Sequence, residues 1–320
     1  LHTGFSMDAG AFGARLTPKD AYRFARGEEI TASPGERAKL SRPLDFLVVA
    51  DHGEMLGVAR SIGENDPRVT GSSVGRKAYE LLRQGKLVDA FLVLLEVFKS
   101  SDPAVRETIA KPEVLSSNWA SQVDAADEAN DPGKFSAFVG WEWTGQSEQE
   151  GNLHRVVFTA SPGSAMKRVE PFTAHHSNKP EDLWAWLDRT SKASGAEFIA
   201  IPHNSNVSGG AMFNTVDSNG RPIDKAYAQV RARWEPVVEI TQTKGTSETH
   251  SKLSPNDEFA TFELFPSLLT SKVRASVTPA DYVRPALLKG MELDRKLGVN
   301  PYKLGFIGST DTHIGLSSAE

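Results

Sequence analysis

The sequence predicts an α/β fold in which short parallel strands alternate with helices, arranged as a barrel in preference to a doubly wound sheet. Three observations carry this. Short continuous apolar runs recur along the chain, as in strands buried on both faces of a parallel sheet. Helical patterns separate them, which makes the connections right-handed crossovers. Histidines and carboxylic acids follow the runs, and a parallel barrel delivers side chains from the carboxyl ends of its strands into one shared pocket.

Taken in order, a helix is predicted over 18–26, opening behind Thr17 as N-cap with Asp20 in the first turn. The run Phe46-Leu-Val-Val-Ala50 is the first strand. Residues 76–99 carry Leu81, Leu82, Leu87, Phe91, Leu94, Leu95 and Phe98 at helical spacing and read as two helices broken near Gly85. Strands follow over 135–139 and 153–158. A helix over 180–192 places Leu183, Trp184 and Leu187 on one face. Further strands fall at 198–201, 237–240 and 304–307, and a helix over 279–297 ends before Gly298. Residues 101–132 and 207–231 read as insertions of the kind that form functional walls. There is no internal repeat and no composition shift that marks a boundary, so residues 1–320 are expected to form one domain.

Composition bounds the chemistry. Apolar residues make up 39% and charged residues 24%, as in an ordinary globular protein. A net charge of -5 argues against wholesale binding to nucleic acid or anionic membranes. The longest apolar stretches, 46–50 and 90–98, are far shorter than the roughly 20 residues that span a bilayer. A soluble protein is expected, in cytoplasm or periplasm, with its oligomeric state open. The chain begins at Leu1 and no signal-peptide pattern precedes the first motif, which suggests a processed or partial product. The absence of cysteine excludes disulfides, thiolate nucleophiles and cysteine-bound zinc, and leaves imidazole and carboxylate as the good metal ligands.

The motifs that carry such groups each admit a plainer reading. His2 and Asp8 bracket a tight turn, a weak signal alone. Asp51-His52 directly follows a strand; a hydrogen-bonded structural pair is the alternative. Glu142 leaves its strand between Trp141 and Trp143, where a desolvated anion needs a cation, either a metal or an arginine, unless it points to solvent. The two tryptophans line either a pocket for an apolar leaving group or the core. His154 starts its strand and reads alone as structural. His203 stands just past a strand whose end Pro202 keeps extended. The turn 242–250 offers Lys244 and backbone amides to an anion, or is a solvated loop. Asp311 and His313, two apart after the last strand, are directed to the same side.

In order, His2-Thr-Gly-Phe-Ser6-Met-Asp8, Ala50-Asp51-His52, Gly140-Trp-Glu142, His154, Pro202-His203 and Ser309-Thr-Asp311-Thr-His313 resemble the polymerase and histidinol phosphatase (PHP) superfamily of metal-dependent phosphoesterases. The closer likeness is to its DUF3604 branch, through Gly140-Trp-Glu-Trp-Thr144, Gly151-Asn-Leu-His154, Ile201-Pro-His-Asn204, the run from Glu239 to Glu248 and Gly308-Ser-Thr-Asp-Thr-His313. The resemblance implies a distorted barrel of seven parallel strands around two or three ions of zinc, manganese or iron. By motif, Glu142 would bridge two ions, one shared by His2 and Asp311 and the other by His154 and His203. Asp8, His52 and His313 would hold a third. His175, His176 and His250 match no ligand motif and are expected at the surface or in a substrate wall. The opening motif of the superfamily is His-x-His, of which Leu1-His2 would be the last two residues, and its relatives continue beyond the equivalent of His313.

The reaction so implied is metal-assisted hydrolysis of a small-molecule phosphomonoester or phosphodiester by a water that bridges two ions. Lys244, Arg155 and Asn204 are the candidates to hold the non-bridging oxygens. Asp51 would accept a proton or orient a ligand histidine. The same centre could act on another ester, a sulfate or an amide, and a metal-binding protein without turnover is the alternative of a different class.

Overall fold

The computed structural model describes residues 1–269 and 277–318 and is a mixed α/β protein. It divides into two compact units, Leu1–Trp141 with Phe158–Pro171 and Thr312–Glu320, and Glu142–Val157 with Phe172–Asp311. The described strands are β1 (Ile30–Thr31), β2 (Arg37–Ala38), β3 (Phe46–Val49), β4 (Ser136–Trp143), β5 (Arg155–Thr159), β6 (Ile199–Pro202), β7 (Val237–Gln242), β8 (Gly245–Thr246) and β9 (Gly305–Gly308). They form three small sheets, ordered β1-β2, β3-β4-β5-β6 and β8-β7-β9. The β3–β4 and β7–β9 pairs are parallel, whereas β1–β2 and β7–β8 are antiparallel. All six predicted strands are present, shifted by a few residues, and the short antiparallel strands come in addition. These pairings establish the α/β class.

In the first unit the helices are α1 (Met7–Ala11), α2 (Pro18–Ala25), α3 (Val58–Gly63), α4 (Pro67–Thr70), α5 (Ser73–Arg83), α6 (Leu87–Phe98), α7 (Pro103–Glu107), α8 (Pro112–Ala129) and α9 (Gly163–Met166). Thr17 and Asp20 cap α2 reciprocally, each side chain taking the other's backbone N–H. The helix is fixed to the sheet by Tyr22, whose hydroxyl donates to the carbonyl of Phe138 at 2.9 Å. The predicted break between α5 and α6 falls at Gly85, where a φ of 70° permits the reversal. Met55, Ile62, Leu94, Ile109 and Val114 close the core between α3, α6 and α8.

Most of the segment read as an insertion over 101–132 is the 18-residue α8. Its inner face combines Ala125, Ala126 and Ala129 with Val114, Val123, Trp119 and the polar Gln122, a weak apolar stripe in sequence. Gln122 donates its side-chain amide to the carbonyls of Val49 and Gly140, at 3.2 and 2.6 Å, and so ties α8 to the end of β3 and the middle of β4.

The second unit adds α10 (Pro180–Ser194), α11 (Lys225–Trp234) and α12 (Val283–Leu297), the last closed by Gly298 in the left-handed conformation. Its interior holds a charged trio. Glu235 accepts from Arg155 Nε at 2.9 Å and from the Trp184 indole at 2.8 Å, and pairs with Arg231 at 3.2 Å. Burial alone would raise the Glu235 carboxyl, but the two guanidinium groups hold it below the usual carboxylate range. Among the described residues no helix is long and apolar enough to cross a membrane.

Candidate functional site

In the first unit, the chain start lies beside the strand-end motif. Ala50 N–H donates to Leu1 O and His2 N–H to Thr312 O, both at 2.9 Å, which sets His2 between the end of β3 and the 312–315 turn. Gly4 allows the following turn, since a Cβ there would sit 2.7 Å from the carbonyl oxygen of Ala14. The rings of His2 and His313 stack at 4.1 Å between centroids, and His52 lies 4.4 Å from His2. Asp8 Oδ2 faces the Nε2 atoms of His52 and His313 at 3.4 and 3.3 Å. Burial works to raise the Asp8 carboxyl; the two imidazoles overcome it and hold the group well below its ordinary value.

Asp51 is wholly buried and accepts four hydrogen bonds, from the backbone N–H and the hydroxyl of both Thr3 and Ser6, at 2.6 to 3.1 Å. Ser6 Oγ thereby spends its one proton. It also accepts from His52 N–H at 3.0 Å and lies 2.7 Å from His2 Nδ1. A hydroxyl that has already donated requires the ring to donate, so His2 carries a proton on Nδ1, and in the neutral ring the lone pair is on Nε2. Asp51 thus orients a histidine through Ser6.

In the second unit, Glu142, His154 and His203 come together on the ends of β4, the start of β5 and the end of β6, all buried, with donor atoms within 4.8 Å of one another. His154 Nδ1 is 2.6 Å and His203 Nε2 3.4 Å from the Glu142 carboxylate. Gly151 matters to this loop because a Cβ would lie 1.9 Å from Ser208 O. Asn204 adopts φ 52°, a turn that asparagine tolerates, immediately after His203. Burial would lower the His203 imidazole, but Glu142, then Glu239 and Asp311, raise it above its ordinary value.

Asp311, Asn204 and Lys244 belong to one polar network centred on Gln242, whose Nε2 donates to Asp311 Oδ2 at 2.6 Å and to Asn204 Oδ1 at 2.9 Å. Lys244 pairs with the same Asp311 oxygen. Gln242 and Glu239 were not singled out from sequence. Glu239 is 5% exposed, takes a 2.6 Å hydrogen bond from Ser309, and keeps Oε1 without a hydrogen-bond partner among the described residues. Burial, with Asp311 adding, pushes its carboxyl up. A carboxylate inside the apolar run 237–240 is the signal that would have found Glu239.

The structure thus gathers seven of the eight expected metal ligands into two clusters, one in each unit, with Asp311 among the charges that act on His203. Arg155 stands apart. It is 1% exposed and engaged by Glu235 and the Leu153 carbonyl, so its charge serves the interior instead of an incoming anion. Trp141 and Trp143 are fully buried, which favours their core role over a pocket wall. Trp143 donates to Ser177 O at 3.0 Å, and Trp141 packs edge-on against Trp119.

Donor chemistry tests whether these residues suit metal ions. Imidazole nitrogens and carboxylate oxygens are the set that zinc, manganese and iron accept. His203 Nδ1 and Glu239 Oε1 are buried polar atoms without hydrogen-bond partners among the described residues, the kind of atom that calls for a further partner. The residues fit. Compared with known sequences, residues 1–320 match the family described as "Protein of unknown function (DUF3604)". The chain belongs to the DUF3604 family. No curated protein and no solved structure matches it. The motifs of this DUF3604 protein fall on two clusters of its own chain, one buried and one half-buried.

Proposed function

We propose that this DUF3604 protein is a metal-dependent hydrolase of phosphoesters. The observation that carries the reading is the buried Glu142–His154–His203 group, a carboxylate and two imidazoles with converging donor atoms. Those three, with Asp311, would hold metal in the second unit; His2, Asp8, His52 and His313 would do so in the first. Bound divalent ions would bring the pKa of water toward neutrality and polarise the phosphorus–oxygen bond.

The chain's own residues supply the remainder. Asn204 Nδ2 is a buried donor without a partner among the described residues, available to a non-bridging oxygen. Lys244 adds a positive charge beside it. Asp51 holds Ser6, and Ser6 holds His2 in the tautomer whose Nε2 lone pair can bind a cation. The motif order shared with the PHP superfamily favours phosphoesters over other substrates. A PHP-type barrel is part of the same proposal, supported by the parallel β3–β4 and β7–β9 pairs.

Elemental analysis of the purified protein, with turnover of mono- and bis-aryl phosphates, tests this. Two or more equivalents of zinc, manganese or iron are expected, with activity falling about a hundredfold or more in His203→Ala, beyond the range for losing a supporting residue. Turnover of only carboxylic or sulfate esters would move the substrate class. Bound metal without turnover of any ester would make the protein a metal-binding one, and no bound metal would end the reading.

A further inference from the structure

One oxygen, Asp311 Oδ2, receives two donors of different kinds. Gln242 Nε2 donates to it at 2.6 Å, and the Lys244 ammonium forms an ion pair with it. Gln242 is pinned throughout its amide. The same Nε2 donates to Asn204 at 2.9 Å, and its Oε1 accepts the Lys244 backbone N–H at 2.6 Å. Gln242 ends β7 and is 5% exposed. Lys244 is held at its backbone, where Asn206 Nδ2 donates to its carbonyl at 3.1 Å, yet its side chain is 22% exposed. A fixed amide and a four-carbon arm with a solvent route therefore share one acceptor.

The charges around them are unequal. Glu142, Glu239 and Asp311 are all at most 6% exposed, and the Lys244 ammonium is paired with one of them, Asp311. A carboxylate oxygen that takes a divalent ion cannot keep an ammonium in contact as well, because the two cations would repel at close range.

We propose that Lys244 is an exchangeable counter-ion: its ammonium neutralises Asp311 when no divalent ion is bound there, and moves to the substrate oxyanion when one is. Gln242 stays, keeping the Asp311 carboxylate and the Asn204 amide in place. The inference rests on the metal-dependent reading above and adds that binding of metal and of anion are coupled through one side chain.

Limited acetylation of the whole protein, read at Lys244 by peptide mass spectrometry with and without manganese(II) chloride, tests the exchange directly. With Lys77, exposed on α5, as the internal standard, manganese is expected to raise Lys244 labelling severalfold and added inorganic phosphate to suppress it again. Lys244→Met keeps the arm without the charge. It should take up manganese about two- to fivefold more tightly in equilibrium dialysis, the upper part of the span an ion pair with an exposed partner covers. Manganese uptake with unchanged Lys244 labelling, or a variant that binds manganese no more tightly, overturns the exchange and leaves the hydrolase reading standing. Failure to take up manganese, zinc or iron removes both. Should Lys244→Met not fold, labelling of the unaltered protein decides alone.

Discussion

Removing one hydroxyl, that of Ser6, tests the proton order around the first histidine. Ser6 is fully buried, and its Oγ donates to Asp51 at 2.8 Å, accepts from His52 N–H at 3.0 Å and sits 2.7 Å from His2 Nδ1. Ser6→Ala removes all three bonds while leaving the backbone N–H of residue 6 on Asp51. At about 0.5–1.5 kcal/mol net for each, the loss of folding stability should be about 2–4 kcal/mol. The expected effect on the first cluster is larger in kind than in energy. Without its acceptor on Nδ1, the His2 ring is no longer held in the Nε2-bare form, and metal affinity there should fall about 10- to 100-fold, as it does when a ligand histidine loses its supporting partner. Urea unfolding measures the first quantity, metal titration the second. Nitrogen-15 spectra of the histidine rings in metal-free protein at alkaline pH measure the cause. If His2 in the unaltered protein carries its proton on Nε2, Ser6 must donate to the ring, and the reasoning is refuted whatever the stability change.

Two further outcomes follow from burial and close approach. Glu235 has a folded-state carboxyl held below its ordinary value, so its stabilisation is complete above about pH 4.3 and is lost as pH falls through that lower folded value. Glu235→Gln should weaken folding by about 3–5 kcal/mol near pH 7, as for a broken buried pair, and should flatten the acid limb of a stability-against-pH curve; an unchanged limb in urea unfolding would exclude the paired carboxylate. Gly151→Ala would press a methyl group against Ser208 O and should cost about 1–3 kcal/mol, the range for overpacking. A melting temperature equal to that of the unaltered protein would show that the approach is not as close as 1.9 Å.

What could be read from sequence was local. The six apolar runs, the Thr17–Asp20 cap and the break at Gly85 each have their cause within a few residues, and each is found in place. The ligand motifs were legible for the same reason, because a histidine or acid at the end of a buried strand is a short-range pattern. Helix α11 was not. Its buried positions are Ala228, Arg231 and Trp234, so the stripe that should have been apolar contains a charge. That charge is explained by Glu235 and by the Met212 carbonyl, 19 residues back, which accepts from Arg231 at 2.9 Å. Arg155 misled for the same reason: a cation beside a ligand motif reads as an anion contact until its distant partner is known. Gln242 was hidden because neither its amide nor its place at the end of β7 advertises that Asp311, 69 residues on, ends against it.

The Arg155–Glu235–Arg231 trio also constrains the history of the family. Glu235 cannot change alone without stranding two guanidinium charges in the interior, whereas the loss of either arginine leaves a matched pair. Divergent DUF3604 sequences that lack an acid at position 235 should consequently lack both arginines as well. Such a block would serve as a marker of descent within the family, independent of whatever chemistry its members perform.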